Sequence, residues 1–519
     1  MEDFFSASPP QRVTARHRVA LDAFARAEHG VYLGHDARGW CFVAPEHSVM
    51  VLGPPRSGKT SSVIVPNVLG ATGPVVSTST KPDVLDATVG ARSELGQCLL
   101  FDPSGTVARG DVSVPLRWSP LQSCATWPGA LAMARSLVEV GSSVRQDGHG
   151  QGSGSHWTER AQALLAPLLH AASLDGANMR TLLTWVDRHQ ALPAQQVLAG
   201  APGRTTELAR NLLDGIVATD ERELSGIWST ASGSLTGFRS DQALDTTARP
   251  TFDPERFVGS SDTIYIAASA HHQALVAPMV VGLLEDIRRA AYARHAAGDD
   301  GLRTSPRRPP VLFALDEVAN IAPIPDLPAL VSEGGGQGVT TLACFQDLSQ
   351  ARQRWPGRAE GFPSLFGTTA VLPGIGDVAT LEALSTLAGE EELPVRTVSA
   401  GRSAGERPLT DLVSGGRPTF GQSVSTQWRR RLPPDMIARG DAGHLLAFDT
   451  RHQPGWVPLA PSYAAEPWMS LRSLGHHRHQ HRVGGAEYAE RVPERGSGPG
   501  RDRDRDAERP GGPTMAHER

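Results

Sequence analysis

The stretch Val49-Met-Val-Leu-Gly53-Pro-Pro-Arg-Ser-Gly-Lys59-Thr60-Ser61 decides the fold of this 519-residue chain. Its four leading apolar residues predict a buried strand, and the residues after the glycines, 61–69, predict a helix. Between them lies GxxxxGK[ST], in which backbone N–H groups face phosphate at a helix N-terminus. In that motif the lysine reaches the β- and γ-phosphates and the hydroxyl coordinates Mg²⁺. The stretch therefore predicts a P-loop. The phosphate-binding candidates are Gly53, Pro54, Pro55, Arg56, Ser57, Gly58, Lys59, Thr60 and Ser61, with Lys59 also catalytic and Thr60 also a metal ligand.

Lysine is almost absent from this chain. Of 50 cationic residues only Lys59 and Lys81 are lysine, a skew typical of a GC-rich genome that leaves lysine where arginine cannot serve. Lys81 follows the predicted strand 74–77, at the end where ligands of open α/β sheets bind. It is therefore a further candidate for nucleotide binding, and a lysine on a solvated loop is the alternative.

A P-loop requires a carboxylate from a neighbouring strand to hold the metal. The apolar run Val311–Leu315 ends in Asp316 and Glu317, which predicts Asp316 on Mg²⁺ and Glu317 as the base for the attacking water. The next predicted strand, 340–345, ends in Gln346, a candidate sensor of the γ-phosphate. The alternative for that position is an ordinary helix start, with a neighbouring residue as the cap.

Composition excludes several other classes of protein. The net charge of −5 and 39% hydrophobic residues are typical of a globular chain and exclude wholesale disorder. The four cysteines form no CxxC pair, and the longest apolar runs, 163–174 and 275–284, are too short to span a bilayer. Without a signal-peptide pattern, the expected location is the cytoplasm, with a peripheral position at the membrane through a partner left open.

The nucleotide is expected to be ATP rather than GTP. Residues 80–83 resemble the guanine-reading [NT]KxD and residues 102–105 resemble DxxG, but their order along the chain is reversed from that of GTP-binding proteins. ATP with Mg²⁺ is therefore the expected cofactor pair.

The predicted fold class is α/β: a P-loop NTPase domain with a mostly parallel sheet, an inserted all-α domain and a disordered C-terminal tail. Residues 397–427 are expected to form a loop, and 444–448 a further buried parallel strand. No repeat is visible. The expected units are an N-terminal helix (1–30), the first part of the nucleotide-binding domain (31–121), the all-α insertion (122–250), the second part of the nucleotide-binding domain (251–465) and the tail (466–519).

The order of these segments resembles the TraG/TraD-type conjugative coupling proteins, P-loop ATPases of type IV secretion. The likeness covers about residues 30–455, and residues 311–450 are similar to the TraM-recognition region of that family. The segments that carry it are Val51-Leu-Gly-Pro-Pro-Arg-Ser-Gly-Lys-Thr60, Ser77-Thr-Ser-Thr-Lys-Pro-Asp83, Phe101-Asp-Pro-Ser-Gly105, Trp118-Ser-Pro-Leu121, His156-Trp157, Leu315-Asp-Glu-Val-Ala-Asn320, Phe345-Gln-Asp-Leu-Ser-Gln350 and Leu432-Pro-Pro-Asp435.

The resemblance implies a RecA-like motor that hydrolyses ATP, assembles as a hexamer around DNA and hands a relaxase–DNA complex to a membrane-embedded secretion channel. Two features depart from the family pattern. Family members usually begin with transmembrane helices, whereas no such helix is predicted in this sequence. The segment before the Gln346 strand reads Gly334-Gly-Gly-Gln337, where an arginine is expected. Two alternatives stay open, namely a related ring ATPase that moves chromosomal DNA or secreted protein, and a nucleotide-dependent adaptor that recruits substrates without pumping.

Overall fold

The computed structural model describes residues 13–36, 38–107, 113–143, 154–269, 271–298, 308–402, 418–449 and 452–474. Its strands are β1 (Tyr32–Asp36), β2 (Gly39–Phe42), β3 (Val49–Leu52), β4 (Val75–Ser79), β5 (Cys98–Phe101), β6 (Val114–Pro115), β7 (Thr263–Ala267), β8 (Val311–Leu315), β9 (Val339–Phe345), β10 (Thr368–Val371), β11 (Glu390–Arg402), β12 (Pro418–Arg430), β13 (His444–Asp449) and β14 (His452–Pro458).

Ten of these strands form one central sheet in the order β14-β13-β10-β3-β9-β8-β4-β7-β5-β6. Every neighbouring pair from β10 to β6 is parallel, whereas β13 and β14 are antiparallel to their neighbours. The predicted class, a mostly parallel α/β sheet, is confirmed. Because β3 and β8 are separated only by β9, their carboxyl ends open onto the same part of the sheet edge.

Helices cover both faces of the sheet and form the insertion. They are α1 (Ala15–Arg26), α2 (Val65–Gly70, preceded by a π-helical turn Lys59–Ile64), α3 (Asp83–Arg92), α4 (Trp127–Ser143), α5 (Gly154–Leu174), α6 (Met179–Asp187), α7 (Leu192–Gly200), α8 (Arg204–Val217), α9 (Glu221–Ser234), α10 (Asp241–Thr247), α11 (Pro254–Phe257), α12 (Gln273–Gly298), α13 (Val318–Ile321), α14 (Leu327–Glu333), α15 (Leu348–Arg354), α16 (Phe362–Leu365), α17 (Val378–Ala388) and α18 (Pro434–Arg439).

The sheet divides the core into two layers, as the two-residue period of a strand requires. In β3, Val49 and Val51 join the cluster that includes α1 and α2, whereas Met50 and Leu52 join the cluster on the other face. All four side chains are completely buried. The uninterrupted apolar sequence of β3 is therefore explained by helices on both sides.

The described part of the helical insertion shares an apolar core with the sheet. Residues of α4 and α5 belong to the same apolar cluster as α12 and one face of the sheet. At this junction the Trp118 indole N–H donates to Asp286 Oδ2 over 2.9 Å. The residues expected as an inserted all-α domain, 122–250, are mainly helical where the structure describes them, and their apolar side chains pack in the same cluster as α12.

The direction of β13 corrects one prediction. The run His444–Asp449 was expected as a parallel strand, but it pairs antiparallel with β10. After β10 the chain stays at the carboxyl edge of the sheet, where the Gly374 N–H donates to Ala438 O over 2.8 Å. It therefore enters β13 from that edge, and no crossover returns it to the other end, as a parallel pair would require.

The loop expected at 397–427 is another prediction that the structure corrects. Strands β11 and β12 pair along their whole length, from Glu390 opposite Arg430 to Arg402 opposite Pro418, as a two-stranded antiparallel ribbon. Residues 403–417 lie outside the described part of the chain. Glycine, serine and arginine dominate residues 397–427, and this composition is typical of a loop rather than of a strand.

The predicted start of the disordered tail, residue 466, is too early in the sequence. Trp468 and Leu471 are each only 1% exposed and pack in the core. The Trp468 ring lies 5.3 Å from the ring of Tyr32 and 5.1 Å from that of Trp40, centroid to centroid. Strands β1 and β2, which contain Tyr32 and Trp40, pair antiparallel with each other. Because aromatic packing fixes residues 466–474 to this pair of strands, the packed chain extends to at least 474, and the remaining residues of the predicted tail lie outside the described ones.

Among the described residues, no helix is both long and apolar enough to cross a membrane.

Candidate functional site

The loop after β3 is held from both neighbouring strands. The Gly53 N–H donates to Phe345 O of β9 over 3.1 Å, and the Leu372 N–H, just after β10, donates to Leu52 O over 2.8 Å. A Cβ on Gly53 would meet Ser57 Oγ at 2.7 Å and Leu372 Cβ at 3.0 Å, so a side chain does not fit there. Gly58 adopts φ +99°, a conformation that favours glycine. Sequence and structure therefore agree on a tight loop that leads into a helix.

Lys59 is the buried cation of this loop. Its side chain is inside the curl of the backbone, where Nζ donates to Gly53 O over 2.5 Å and to Pro54 O over 2.9 Å, and the residue is 6% exposed. Both acceptors are neutral carbonyls, so the ammonium charge is not cancelled by a carboxylate in these contacts. A buried positive charge beside backbone N–H groups at a helix start is an anion-binding arrangement.

The acidic strand end meets this helix start directly. Thr60 Oγ1 donates to Asp316 Oδ2 over 2.7 Å, although the two residues are 256 positions apart. Thr78 Oγ1 of β4 donates to Asp316 O over 2.9 Å and fixes the backbone from the other side. Burial raises the pKa of Asp316 to about 6, partly opposed by the hydrogen bond from Thr60, while the charge of Glu317 raises it further. The metal-binding pair predicted from the sequence is therefore in contact.

Glu317 has an unusual backbone. Its φ of +53° and ψ of +45° place it in the left-handed region, which costs a non-glycine residue free energy. Asn320 Nδ2 donates to Glu317 Oε2 over 3.3 Å. The sequence segments that contain Asn320 and Thr78 predict no role for either residue. Spacing offered a signal for Asn320, because residues three apart around a turn can meet.

Gln346 lies at the carboxyl end of β9, the strand between β3 and β8. Its backbone N–H is held by Gln350 Oε1 over 2.9 Å, and Asp347 Oδ1 accepts from the Ser349 N–H over 2.9 Å as the cap of α15. Both interpretations of this segment are therefore compatible with the structure, since the cap is present and Gln346 is half-buried beside the loop.

Lys81 is not brought together with Lys59. It is exposed and follows β4, the third strand from β3 on the Asp316 side. At about 4.8 Å per strand, β4 lies about 14 Å from β3. The Lys81 N–H donates to Ser79 Oγ over 3.3 Å, in the turn before α3. Its predicted role in nucleotide binding stays a prediction.

The residues present fit a Mg²⁺-bound nucleotide. The hydroxyl and the carboxylate supply the oxygen ligands that Mg²⁺ prefers. The buried ammonium beside them is a cation that suits phosphate. Ser57 Oγ is buried within the loop and has no hydrogen-bond partner among the described residues. A phosphate oxygen would accept a hydrogen bond from that hydroxyl, which lies in the loop where the motif predicts phosphate binding.

The glycine-rich segment before β9 lies away from this site. The 3₁₀ turn Gly334–Gln337 stands at the amino end of β9, the opposite edge of the sheet from the P-loop. A Cβ on Gly335 would come within 1.9 Å of Glu46 O. Close backbone approach therefore explains the glycine, and an arginine at this position could not reach the chain's own Lys59.

A family model described as "Type IV secretory system Conjugative DNA transfer" matches residues 10–411. The chain belongs to this family. The resemblance to TraG/TraD-type coupling proteins that the sequence indicates is therefore confirmed.

Two curated relatives are similar along much of the chain. One conjugal transfer protein TraG of Escherichia coli is 25% identical over 482 residues, covering 86% of this chain and 72% of its own length. A second conjugal transfer protein TraG of the same organism is 24% identical over 337 residues, covering 60% of this chain and 50% of its own.

Solved structures of a coupling protein share the fold. Unbound TrwBdeltaN70 has a TM-score of 0.59 at 16% identity, covering 88% of this chain and 95% of its own. TrwB with ADP and Mg²⁺ has a TM-score of 0.56 at 16% identity, covering 82% and 87%. TrwB with a non-hydrolysable GTP analogue has 0.58 at 15% identity, covering 89% and 98%. These likenesses establish the fold alone.

Proposed function

We propose that this chain is an ATP-driven motor that moves DNA and couples a relaxase–DNA complex to a type IV secretion channel. The observation that carries the proposal is the 2.7 Å hydrogen bond between Thr60 and Asp316, beside the buried Lys59. Membership of the conjugative DNA transfer family supports the cellular role. The TrwB complexes with ADP and Mg²⁺ and with an ATP analogue support the cofactor pair.

Each residue has a distinct proposed task. Lys59 would neutralise phosphate charge, and Thr60 and Asp316 would hold Mg²⁺, which supplies charge neutralisation at the phosphates. Glu317 would accept the proton of the attacking water. Gln346, on the strand between them, would contact the γ-phosphate and transmit its loss to α15. In the structure Thr60 donates to Asp316, so the two proposed metal-binding groups are already side by side.

ATP is the proposed nucleotide, with the specificity between purines left to experiment. TrwB has been solved with analogues of both ATP and GTP. The reversed order of the two GTP-like segments favours ATP for this chain.

The decisive experiment measures ATPase activity with and without single- and double-stranded DNA at a stated salt concentration, because DNA binding is salt-dependent. We expect DNA to stimulate turnover in the parent protein and Lys59→Ala to abolish it. Glu317→Gln should retain nucleotide affinity while hydrolysis falls by about 10²-fold or more. Trp428→Ala, a change on the exposed ribbon, is the matched control.

The outcomes separate the competing functions. ATP hydrolysis that DNA leaves unchanged would favour the nucleotide-dependent adaptor over the motor. Parental turnover in Lys59→Ala would remove the P-loop assignment altogether. A chain that translocates DNA in vitro yet has no affinity for a relaxase would instead favour a related ring ATPase acting on other substrates.

The proposed assembly is a homo-hexamer around DNA, located in the cytoplasm and reaching the inner face of the membrane through a membrane-embedded secretion component. The family supports DNA and secretion-system partners. Mass measurement with nucleotide and DNA would test the subunit number. Co-purification with a relaxase or a channel protein would test the partners.

A further inference from the structure

The chain returns to the P-loop helix after the last strand of the sheet. Following β14, Ala460 is buried and the Ser462 N–H donates to Ser61 O over 2.9 Å. Ser61 stands in the first turn after Lys59 and Thr60. Ser462 itself is completely buried, so this contact fixes residues 460–462 against the start of the helix.

Tyr463 is the next residue and is 62% exposed. Its Cα is one peptide unit, about 3.8 Å, beyond the anchored Ser462. The Ala464 and Ala465 N–H groups both donate to Pro461 O, over 2.9 and 2.8 Å, so the tyrosine is held in a closed turn. An aromatic ring on a fixed backbone is therefore presented to solvent beside the P-loop helix.

This position lies on one particular flank of the phosphate loop. The carboxylates Asp316 and Glu317 and the amide of Gln346 occupy the β8 and β9 side of β3. On the other side are β10, β13 and β14, and the segment 459–465 follows from them. A triphosphate whose γ end faces the carboxylates would extend its nucleoside away from them, toward the flank on which the backbone of residues 459–465 lies.

We propose that Tyr463 is the stacking platform for the base of the bound nucleotide. The proposal rests on the P-loop function argued above and adds the residue that recognises the nucleoside. Stacking on an aromatic ring accepts any base, because every base has a π-face. The ring would therefore add affinity for the base of ATP, the proposed nucleotide, without itself distinguishing adenine from guanine.

The test compares two probes, ATP and inorganic tripolyphosphate, by isothermal titration calorimetry in the presence of Mg²⁺. Tripolyphosphate has the phosphate chain but no base. Tyr463→Ala should raise the Kd for ATP by about 5- to 100-fold and leave the Kd for tripolyphosphate within about twofold of the parent. Tyr463→Phe should bind both probes as the parent does, since the ring is retained.

Two results would overturn the proposal. Parental affinity of Tyr463→Ala for ATP would show that the base does not use the ring. Equal loss of ATP and tripolyphosphate would show that Tyr463 supports the helix start instead, and a thermal midpoint equal to the parent's would exclude unfolding. Trp428→Ala, which removes a similarly exposed aromatic ring from the ribbon, should change neither affinity.

Lys59→Ala keeps this inference separate from the proposed function. It should lose both probes because it removes phosphate binding. If Lys59→Ala binds both as tightly as the parent, the P-loop function fails whatever Tyr463 does. If Lys59→Ala behaves as expected and Tyr463→Ala has no effect, only the stacking platform fails.

Discussion

Replacing Asp316 by asparagine should stabilise the nucleotide-free protein while abolishing Mg²⁺-dependent hydrolysis. Burial raises the pKa of Asp316 to about 6 from the ordinary 3.8. Because the folded-state pKa lies above the unfolded one, the ionised carboxylate destabilises the native state above pH 6. That cost disappears as the pH falls from about 6 toward 4. Asparagine keeps an acceptor for the Thr60 hydroxyl without the charge.

The magnitude follows from the difference between the two pKa values. A shift of about two units corresponds to about 3 kcal/mol at pH 8, where both states are ionised. The advantage of Asp316→Asn should shrink as the pH falls from about 6 toward 4, because the folded carboxyl becomes protonated and loses its charge. For a chain of this length, 3 kcal/mol raises the thermal midpoint by roughly 3 °C.

The assay is thermal unfolding without nucleotide at pH 8, 6 and 5, repeated at pH 8 with Mg²⁺ and ATP. Mg²⁺ and ATP should stabilise the parent and not Asp316→Asn. The thermal midpoint of the parent should therefore rise to that of the variant or above it. Asp435→Asn, at a 78% exposed side chain, is the control and should lie within about 0.5 kcal/mol of the parent at every pH. A less stable Asp316→Asn at pH 8, or an advantage independent of pH, would refute the reasoning.

Three further changes have definite expected outcomes. Trp468→Ala removes a buried ring packed on Tyr32 and should destabilise the protein by about 3–5 kcal/mol, measured by urea unfolding. Trp428→Ala, at a 68% exposed ring, should stay within about 0.5 kcal/mol, and a larger loss would indicate packing that the isolated chain does not have. Asn320→Ala releases the Glu317 carboxylate and should lower kcat roughly tenfold at unchanged KM, whereas a rise in KM alone would indicate a role in binding.

The centre of the fold could be predicted because its signals are local. Four apolar residues before a glycine-rich loop predict β3, and five before an acidic pair predict β8. Each pattern specifies a buried strand and the residue type at its end, and parallel strands place those ends on one edge. The contact between Thr60 and Asp316 therefore followed from two segments that are 256 residues apart.

Strand direction and remote packing could not be predicted in this way. The sequence of β13 is as apolar as that of a parallel strand, and only the path taken by α17 and α18 makes it antiparallel to β10. Trp468 stands at the edge of a region of biased composition, where no local periodicity indicates a core. Its burial depends on the rings of Trp40 and Tyr32, more than 400 residues earlier in the chain.

The hydrogen bond between Thr60 and Asp316 explains how the site can destabilise the free protein and still be arranged to bind a metal ion. A buried carboxylate with a raised pKa destabilises the free protein, and the Thr60 hydroxyl only partly offsets this. A divalent cation at the same oxygens would favour the charged form and remove the cost on binding. The strain at Glu317, with its φ of +53°, lies one residue further on the same chain segment. A change in charge at Asp316 therefore acts directly beside the group proposed to handle the attacking water, so on the proposed function metal binding would act next to the proposed base.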